Sequence, residues 1–124
     1  MSEHAKTVLI VDDHPAFRAS ARLLLESEGY EVVGEAADGA SAIEQVGTLS
    51  PDLVLLDVQL PDIDGFAVAE QVSAERIGGT HAPTIVLVSS RDRTDFGSLL
   101  DSAGVRGFIS KGELSGEALA ELVN

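Results

Sequence analysis

Side chains able to bind a metal ion or a phosphoryl group follow four of the short apolar runs in this 124-residue chain. An acidic pair ends the first run, an aspartate the third, a serine the fourth and a lysine the fifth: Asp12 and Asp13, Asp57, Ser89, and Lys111. Carboxylates that share one site repel each other, and a hard divalent cation relieves that repulsion. Because Mg²⁺ keeps several water ligands and often binds a phosphate oxygen as well, the three carboxylates predict Mg²⁺ as the cofactor.

The other residue types at these positions indicate phosphoryl transfer. An aspartate is a competent nucleophile toward a phosphoryl group. Lys111 is one of only two lysines in the chain, and an ammonium beside a carboxylate and a hydroxyl is suited to hold an added anion. The pattern therefore predicts a metal-assisted phosphoryl acceptor.

Each of these residues, taken alone, also has an ordinary structural interpretation. Asp12 or Asp13 is typical of the N-cap of a helix that starts at Pro15. Ser89 alone is typical of a loop hydroxyl, and Lys111 alone of a solvated charge. We favour the shared site because the five positions lie at the ends of four predicted strands.

Three polar residues close to these positions are given no chemical role. Asp62 and Asp64 are predicted to be solvated loop charges. His14 is interpreted as a residue of the helix start rather than as a metal ligand.

The alternation of apolar runs with amphipathic segments predicts the elements that must position these side chains. Apolar runs that predict strands occupy residues 8–11, 32–33, 53–56, 85–88 and 108–109. Amphipathic patterns predict helices over residues 15–28, 40–49, 66–76, 95–102 and 115–123. Strand and helix alternating five times indicate an α/β domain with a parallel sheet.

The composition of the strands predicts their order. The first, third and fourth runs are apolar at every position, as strands covered on both faces must be. The second is interrupted by Glu31, Gly34 and Glu35, and the fifth is very short, which is typical of edge strands. These features select the order 2-1-3-4-5, a doubly wound sheet in which ligands bind beyond the carboxyl ends of the strands.

Composition and charge exclude several classes of function. The chain has 8 Lys plus Arg against 21 Asp plus Glu, a formal charge of −13, which disfavours direct binding to nucleic acid or to an anionic membrane. It has no cysteine, so disulfides and thiolate chemistry are excluded. We expect a cytoplasmic domain, because there is neither a membrane-spanning run nor an N-terminal apolar signal segment.

Four motifs in order resemble the receiver domain of bacterial two-component response regulators, and the resemblance covers the whole chain, residues 1–124. The motifs are IVDDHP at residues 10–15, VLLDVQLPDIDG at 54–65, LVSS at 87–90 and GFISK at 107–111. The resemblance implies a flavodoxin-like fold with helices on both faces of the sheet. The DDHP start and VGEA at residues 33–36 are most similar to the branch that is usually fused to a helix-turn-helix domain, and we expect no such output domain in this chain.

The resemblance also implies roles for individual residues. Asp57 would accept the phosphoryl group and, with Asp13, ligate Mg²⁺ directly. Asp12 would bind the metal through water, and the backbone carbonyl of Gln59 would supply another oxygen. Lys111 would bind the phosphoryl oxygens.

Further roles concern switching and the lifetime of the phosphoryl group. Ser89 would bind a phosphoryl oxygen, and Phe108 would be the aromatic switch residue that turns inward when Ser89 moves. Gln59 and Arg91 would flank the line of approach of the hydrolytic water. Neither is an acid that could activate water, and we expect Arg91 to shield the phosphoryl group and slow its loss. The other interpretation of Arg91 is a side chain in solvent or paired with a nearby aspartate.

The function implied is a phosphorylation-dependent switch rather than an enzyme that acts on a separate substrate. Its partners would be a sensor histidine kinase and either a downstream protein or a DNA-binding domain outside this chain. The resemblance also allows a dimer that forms on phosphorylation. We expect no direct binding of this chain to DNA.

Three other classes of function fit the sequence less well. A phosphatase of the dehalogenase type needs Asp-x-Asp after the first strand, whereas Asp57-Val58-Gln59 lacks the second acid and follows the third. A flavin mononucleotide carrier needs a hydroxyl- or glycine-rich loop after the first strand, where the acidic pair would repel the phosphate. A degenerate receiver that acts only as a scaffold is disfavoured by the intact acidic set and Lys111.

Overall fold

A five-stranded parallel sheet lies at the centre of the structure, a computed structural model that describes residues 6–74, 83–90 and 105–123. Its strands are β1 (Thr7–Val11), β2 (Glu31–Ala36), β3 (Leu53–Asp57), β4 (Thr84–Ser89) and β5 (Gly107–Ser110). The helices in these ranges are α1 (Pro15–Ser27), α2 (Gly39–Leu49), α3 (Gly65–Ala74) and α4 (Gly116–Val123). A 3-10 turn, Lys111–Glu113, lies between β5 and α4.

The strand order is β2-β1-β3-β4-β5, so the predicted doubly wound sheet is confirmed. The strands that contain the fully apolar runs, β1, β3 and β4, are the three interior strands, and nearly all of their residues are buried. In the register of β1 and β3, Val11 pairs with Leu56, which places the residues that follow them side by side. The helix predicted over residues 95–102 lies outside the described residues.

Two hydrophobic clusters cover opposite faces of the sheet, because successive strand side chains point to opposite faces. Leu9 and Val11 belong to the cluster beneath α2 and α3. Val8 and Ile10 belong to the cluster beneath α1 and α4. No helix in the described ranges is long and apolar enough to cross a membrane.

The boundaries of α1 and α2 follow from local chemistry, and each helix differs from its predicted range by one residue at one end. Pro15 begins α1, where its missing N–H removes no helical hydrogen bond. The helix ends at Ser27 rather than Glu28, and Gly29 follows with a φ of 94°, the left-handed conformation expected after a helix end. In α2, which begins at Gly39, the side chain of Asp38 accepts a hydrogen bond from the third residue of the helix.

The first residue of α3, Gly65, must be a glycine because the backbone of Asp57 and Val58 lies very close to it. Its N–H donates to the carbonyl oxygen of Val58 at 2.7 Å, and a Cβ at this position would overlap the carbonyl oxygen of Asp57. Space for a side chain is therefore missing directly behind the last residue of β3.

We expect Gly65→Ala to lower the free energy of unfolding by about 1–3 kcal/mol, because the added methyl group must displace backbone rather than a flexible side chain. Gly47→Ala is the matched control, since a Cβ there meets nothing within 4 Å inside α2. That variant should gain up to about 1 kcal/mol from helix propensity. Urea denaturation of both variants checks the prediction, and equal stability of the two would contradict it.

Candidate functional site

The carboxyl edge of the sheet brings together the side chains that the sequence places at strand ends. Asp12 directly follows β1, Asp57 is the last residue of β3, Ser89 is the last residue of β4, and Lys111 directly follows β5. All four come from neighbouring strands of the sheet. Parallel strands deliver these residues to one edge because their carboxyl ends all face the same way.

Two of the carboxylates at this edge are buried. The side chain of Asp12 is 0% exposed and Asp57 is 3% exposed, whereas Asp13 lies at the surface. One ligand atom from each of Asp12, Asp13, His14 and Asp57 lies within 4.8 Å of the others, a spacing that could hold a metal ion. Carboxylate oxygens this close repel each other unless a cation lies among them.

Lys111 supplies the positive charge closest to the buried pair. Its Nζ lies 2.6 Å from Asp12 Oδ2 and 3.7 Å from Asp57 Oδ2, and its side chain is 17% exposed. The same Nζ lies 4.5 Å from the centre of the Phe17 ring, a cation–π contact that limits where the ammonium can move. Within the described ranges, one lysine ammonium therefore faces two buried carboxylates.

The electrostatics of Asp57 reflect this crowding. Its pKa is raised from 3.8 to about 6, mainly by burial and next by the negative charge of Asp12, while Lys111 opposes the rise. Asp12 Oδ2 is buried and makes no hydrogen bond of regular geometry, so Lys111 is its close polar partner. A buried oxygen with lone pairs left over, next to a carboxylate that resists ionisation, fits a site for a hard cation.

Neither Asp12 nor Asp13 acts as the N-cap of α1, so that structural interpretation is wrong. His14 occupies the N-cap position and makes no capping hydrogen bond with its side chain. Instead, the His14 N–H donates to Asp12 Oδ1 at 2.8 Å, and His14 Nδ1 lies 3.0 Å from the same oxygen and 3.1 Å from Asp13 Oδ1. His14 is therefore a helix-start residue, as expected, that also contacts both members of the acidic pair.

A group of charged residues next to the acidic pair was not predicted from the sequence. Arg18 Nη1 donates to the backbone carbonyl oxygen of Asp12 at 2.6 Å. Glu35 on β2 accepts hydrogen bonds from Arg18 Nε at 2.9 Å and Arg22 Nε at 2.8 Å. The hydrogen bond from Arg22 is the main reason why the pKa of Glu35 is lowered. The spacing of the two arginines, four residues apart on one helix, was the signal available in the sequence.

Asp62 and Asp64 are exposed loop residues, as predicted, but each also accepts hydrogen bonds from backbone N–H groups at the start of a helix. Asp64 Oδ1 accepts the N–H of Ala67 in the first turn of α3 at 2.8 Å. The Asp62 carboxylate accepts the backbone N–H groups of Gly39 and Ala40 at the start of α2. These hydrogen bonds lower the pKa of Asp62, and the bond from Gly39 has the largest effect.

The remaining predicted site residues lie near the buried pair or outside the described ranges. Ser89 is fully buried, and it is paired with Ser110 in the register of β4 and β5. Phe108 is partly buried against the cluster beneath α2 and α3. The Gln59 N–H donates to Asp57 Oδ1 at 3.3 Å. Arg91 lies outside the described residues.

Comparisons with known proteins find the same domain throughout this chain. The family model of the response regulator receiver domain matches residues 8–124. The nitrate/nitrite response regulator protein NarP of Escherichia coli is 42% identical over 105 residues, which are 84% of this chain and 47% of NarP. The DNA-binding transcriptional activator EvgA of Escherichia coli is 36% identical over 105 residues, 85% of this chain and 50% of EvgA. The chain thus spans about half the length of these relatives.

A solved structure shows the same architecture. The crystal structure of a two-component response regulator of the LuxR family from Aurantimonas sp. superposes with a TM-score of 0.81 at 28% sequence identity. The match covers 95% of this chain and 81% of that chain.

The crowding of Asp57 yields a prediction about the metal-free protein. With a chelator present at pH 8, we expect Asp57→Asn to raise the free energy of unfolding by about 1–3 kcal/mol, because it removes a buried charge whose pKa is raised to about 6. Asp64→Asn is the matched control, since asparagine caps a helix about as well as aspartate. Its stability should stay within about 0.5 kcal/mol of the parent.

The pH dependence of this gain in stability follows from the raised pKa of Asp57. Asp57 is ionised in both the folded and the unfolded state above about pH 6, and protonated in both below about pH 4. The advantage of Asp57→Asn should therefore be complete above pH 6 and shrink toward zero as pH falls through this window. Thermal melts at several pH values measure it, and an advantage that grows on acidification would contradict the account.

Proposed function

Because the chain belongs to the response regulator receiver domain family, we propose that it is a phosphorylation-dependent signalling switch that accepts a phosphoryl group on Asp57. The observation that carries the proposal is the position of Asp57, buried at the end of the central strand β3 with Lys111 and Asp12 beside it. Its carboxylate is held in one place by the sheet and faces both a cation and a cluster that could hold a second one.

The proposed step is the transfer of a phosphoryl group from a phosphohistidine of a sensor kinase. An Asp57 carboxylate oxygen attacks phosphorus, an O–P bond forms, the N–P bond to the histidine breaks, and the released imidazole nitrogen keeps the electron pair and takes up a proton. Lys111 Nζ, 3.7 Å from Asp57 Oδ2, binds the added phosphoryl oxygens. Ionised Asp57 is the nucleophile, so neutralisation of the surrounding negative charge favours the step.

We propose that Mg²⁺ is held by Asp13 and Asp57 directly, by Asp12 through water and by the Gln59 backbone carbonyl. When bound, the cation would offset the negative charge of the three carboxylates that the single ammonium does not neutralise. It would also stabilise the negatively charged phosphoryl oxygens next to Asp57. The burial of Asp12 and the exposure of Asp13 support this division, because a surface carboxylate can turn toward a metal at little cost.

The switch is proposed to run through Ser89 and Phe108. Ser89 lies at the end of β4 beside β3, within the row of strand ends that includes Asp57. In the proposal Ser89 binds a phosphoryl oxygen, and Phe108 on the neighbouring strand β5 turns inward as Ser89 moves. Gln59 and Arg91 are proposed to set the lifetime of the phosphoryl group, with Arg91 slowing its hydrolysis.

The partners and the location belong to the proposal as well. The donor is a sensor histidine kinase, and the output is a changed affinity for a protein partner or for a DNA-binding domain outside this chain. The charge of −13 supports the view that these 124 residues do not bind DNA themselves. Membership of the receiver family supports a cytoplasmic location and a dimer that forms on phosphorylation.

Phosphorylation of Asp57 is tested with a small-molecule donor. Incubation with acetyl phosphate and Mg²⁺ should add one phosphoryl group to the parent protein and to Asp64→Asn, and none to Asp57→Asn, as measured by intact mass. The control acid lies seven residues further along the chain and caps α3, so it tests whether any nearby aspartate suffices. Equal labelling of Asp57→Asn would show that another residue is the acceptor.

Metal binding is tested by thermal stability. Mg²⁺ at about ten times its dissociation constant should raise the free energy of unfolding by about 1.4 kcal/mol relative to chelator. Asp13→Asn should remove most of this gain without unfolding the protein, because Asp13 is exposed. If the parent melts at the same temperature with Mg²⁺ and with chelator over a wide concentration range, the proposed metal site is wrong.

A further inference from the structure

The loop between β3 and α3, residues 58–64, follows Asp57 and is fastened at two points. At its base, the N–H of Gly65 donates to the carbonyl oxygen of Val58 at 2.7 Å. Near its tip, the side chain of Asp62 contacts the first residues of α2, 22 and 23 positions earlier in the chain. Gln59, whose carbonyl is a proposed metal ligand, lies between these two points.

Asp62 uses both of its carboxylate oxygens in the second attachment. Oδ1 accepts hydrogen bonds from the N–H groups of Gly39 and of Ile63, each at 2.8 Å. Oδ2 accepts the N–H of Ala40 at 2.9 Å. The first N–H groups of a helix have no partner within the helix, and the helix dipole favours a negative charge there. The loop thus completes the N-terminus of α2 from outside the helix.

Packing fits the loop tip closely to α2. Gly39 is buried, and a Cβ at that position would overlap the side chain of Ile63. Ile63 is partly buried against the same cluster that lies beneath α2 and α3. The tip can therefore lie flat against α2 only because residue 39 has no side chain, and Asp62 then holds it there.

We propose that Asp62 is a positioning residue, which ties the loop after Asp57 to α2 and so holds the Gln59 carbonyl where the phosphorylation site needs it. This inference rests on the proposed function. Only two residues separate Gln59 from Asp62, and the Gln59 N–H also donates a hydrogen bond to Asp57. With its base and its tip both attached, the loop loses most of its freedom, and the cost of ordering the Gln59 carbonyl on metal binding falls.

The competing explanation is that Asp62 only stabilises α2, and the chain offers a matched control for it. Asp38 caps the same helix end, accepting the N–H of Ser41 at 2.8 Å, but it precedes α2 directly and has no contact of this kind with the loop. Asp38→Ala and Asp62→Ala should each lower the melting temperature, because each removes an acceptor for the first N–H groups of α2. Only Asp62→Ala should change the behaviour of the loop.

The experiment uses nuclear magnetic resonance on the full chain, in two steps. In metal-free protein, amide hydrogen exchange at Gln59 and Gly65 should become about tenfold faster in Asp62→Ala and stay unchanged in Asp38→Ala. In a Mg²⁺ titration followed at backbone amides, the dissociation constant should rise about tenfold in Asp62→Ala and stay at the parent value in Asp38→Ala. Asp62→Asn keeps an oxygen that can accept from Gly39 and should recover part of both losses.

The outcomes separate this inference from the function it rests on. If Asp62→Ala matches Asp38→Ala in exchange and in Mg²⁺ affinity while the parent binds Mg²⁺ and accepts phosphate, Asp62 only caps α2 and the positioning role is wrong. If the parent itself neither binds Mg²⁺ nor accepts phosphate, the proposed function fails, and the positioning role fails with it. If Asp62→Ala does not fold, the same comparison is made with Asp62→Asn.

Discussion

Two carboxylates buried beside each other form the constraint on which the rest of the site depends. Asp12 and Asp57 lie side by side because Val11 pairs with Leu56 and each aspartate is the next residue along its chain segment. Burial and mutual repulsion make the doubly ionised pair costly, and the raised pKa of Asp57 measures that cost. Lys111 compensates for part of this cost, and the negative charge of the acidic cluster is the basis of the proposed cation site.

The surrounding contacts hold this unfavourable arrangement in place. Arg18 binds the backbone oxygen of Asp12 rather than its carboxylate, and its guanidinium is also tied to Glu35. The carboxylate of Asp12 therefore stays directed toward Lys111 and the acidic cluster. The Phe17 ring also contacts the Lys111 ammonium. A site that accepts an added anion and a cation, as proposed here, gains from groups that are positioned before either arrives.

The central strands and the residues that follow them could be predicted from the sequence because both signals are local. A run that is apolar at every position indicates an interior strand. In a parallel sheet the residues that end or directly follow any of the strands lie at the ligand-binding edge, which located Asp12, Asp57 and Lys111. The roles of Asp62 and Arg18 could not be predicted in this way. Each depends on a contact with another element, and an isolated acid in a loop looks the same whether it meets water or the start of a helix.

The central claim is that the phosphoryl group resides on Asp57, and chemical mapping of the acyl phosphate tests it most directly. Borohydride reduces an aspartyl phosphate to homoserine, so the protein is phosphorylated, reduced and digested, and the peptides are sequenced by mass spectrometry. Burial of Asp57 at the end of β3, facing Lys111, predicts homoserine at position 57 alone. Homoserine at Asp12 or Asp13 instead would contradict the account, because it would make the acidic pair the acceptor and leave Asp57 as a neighbouring charge.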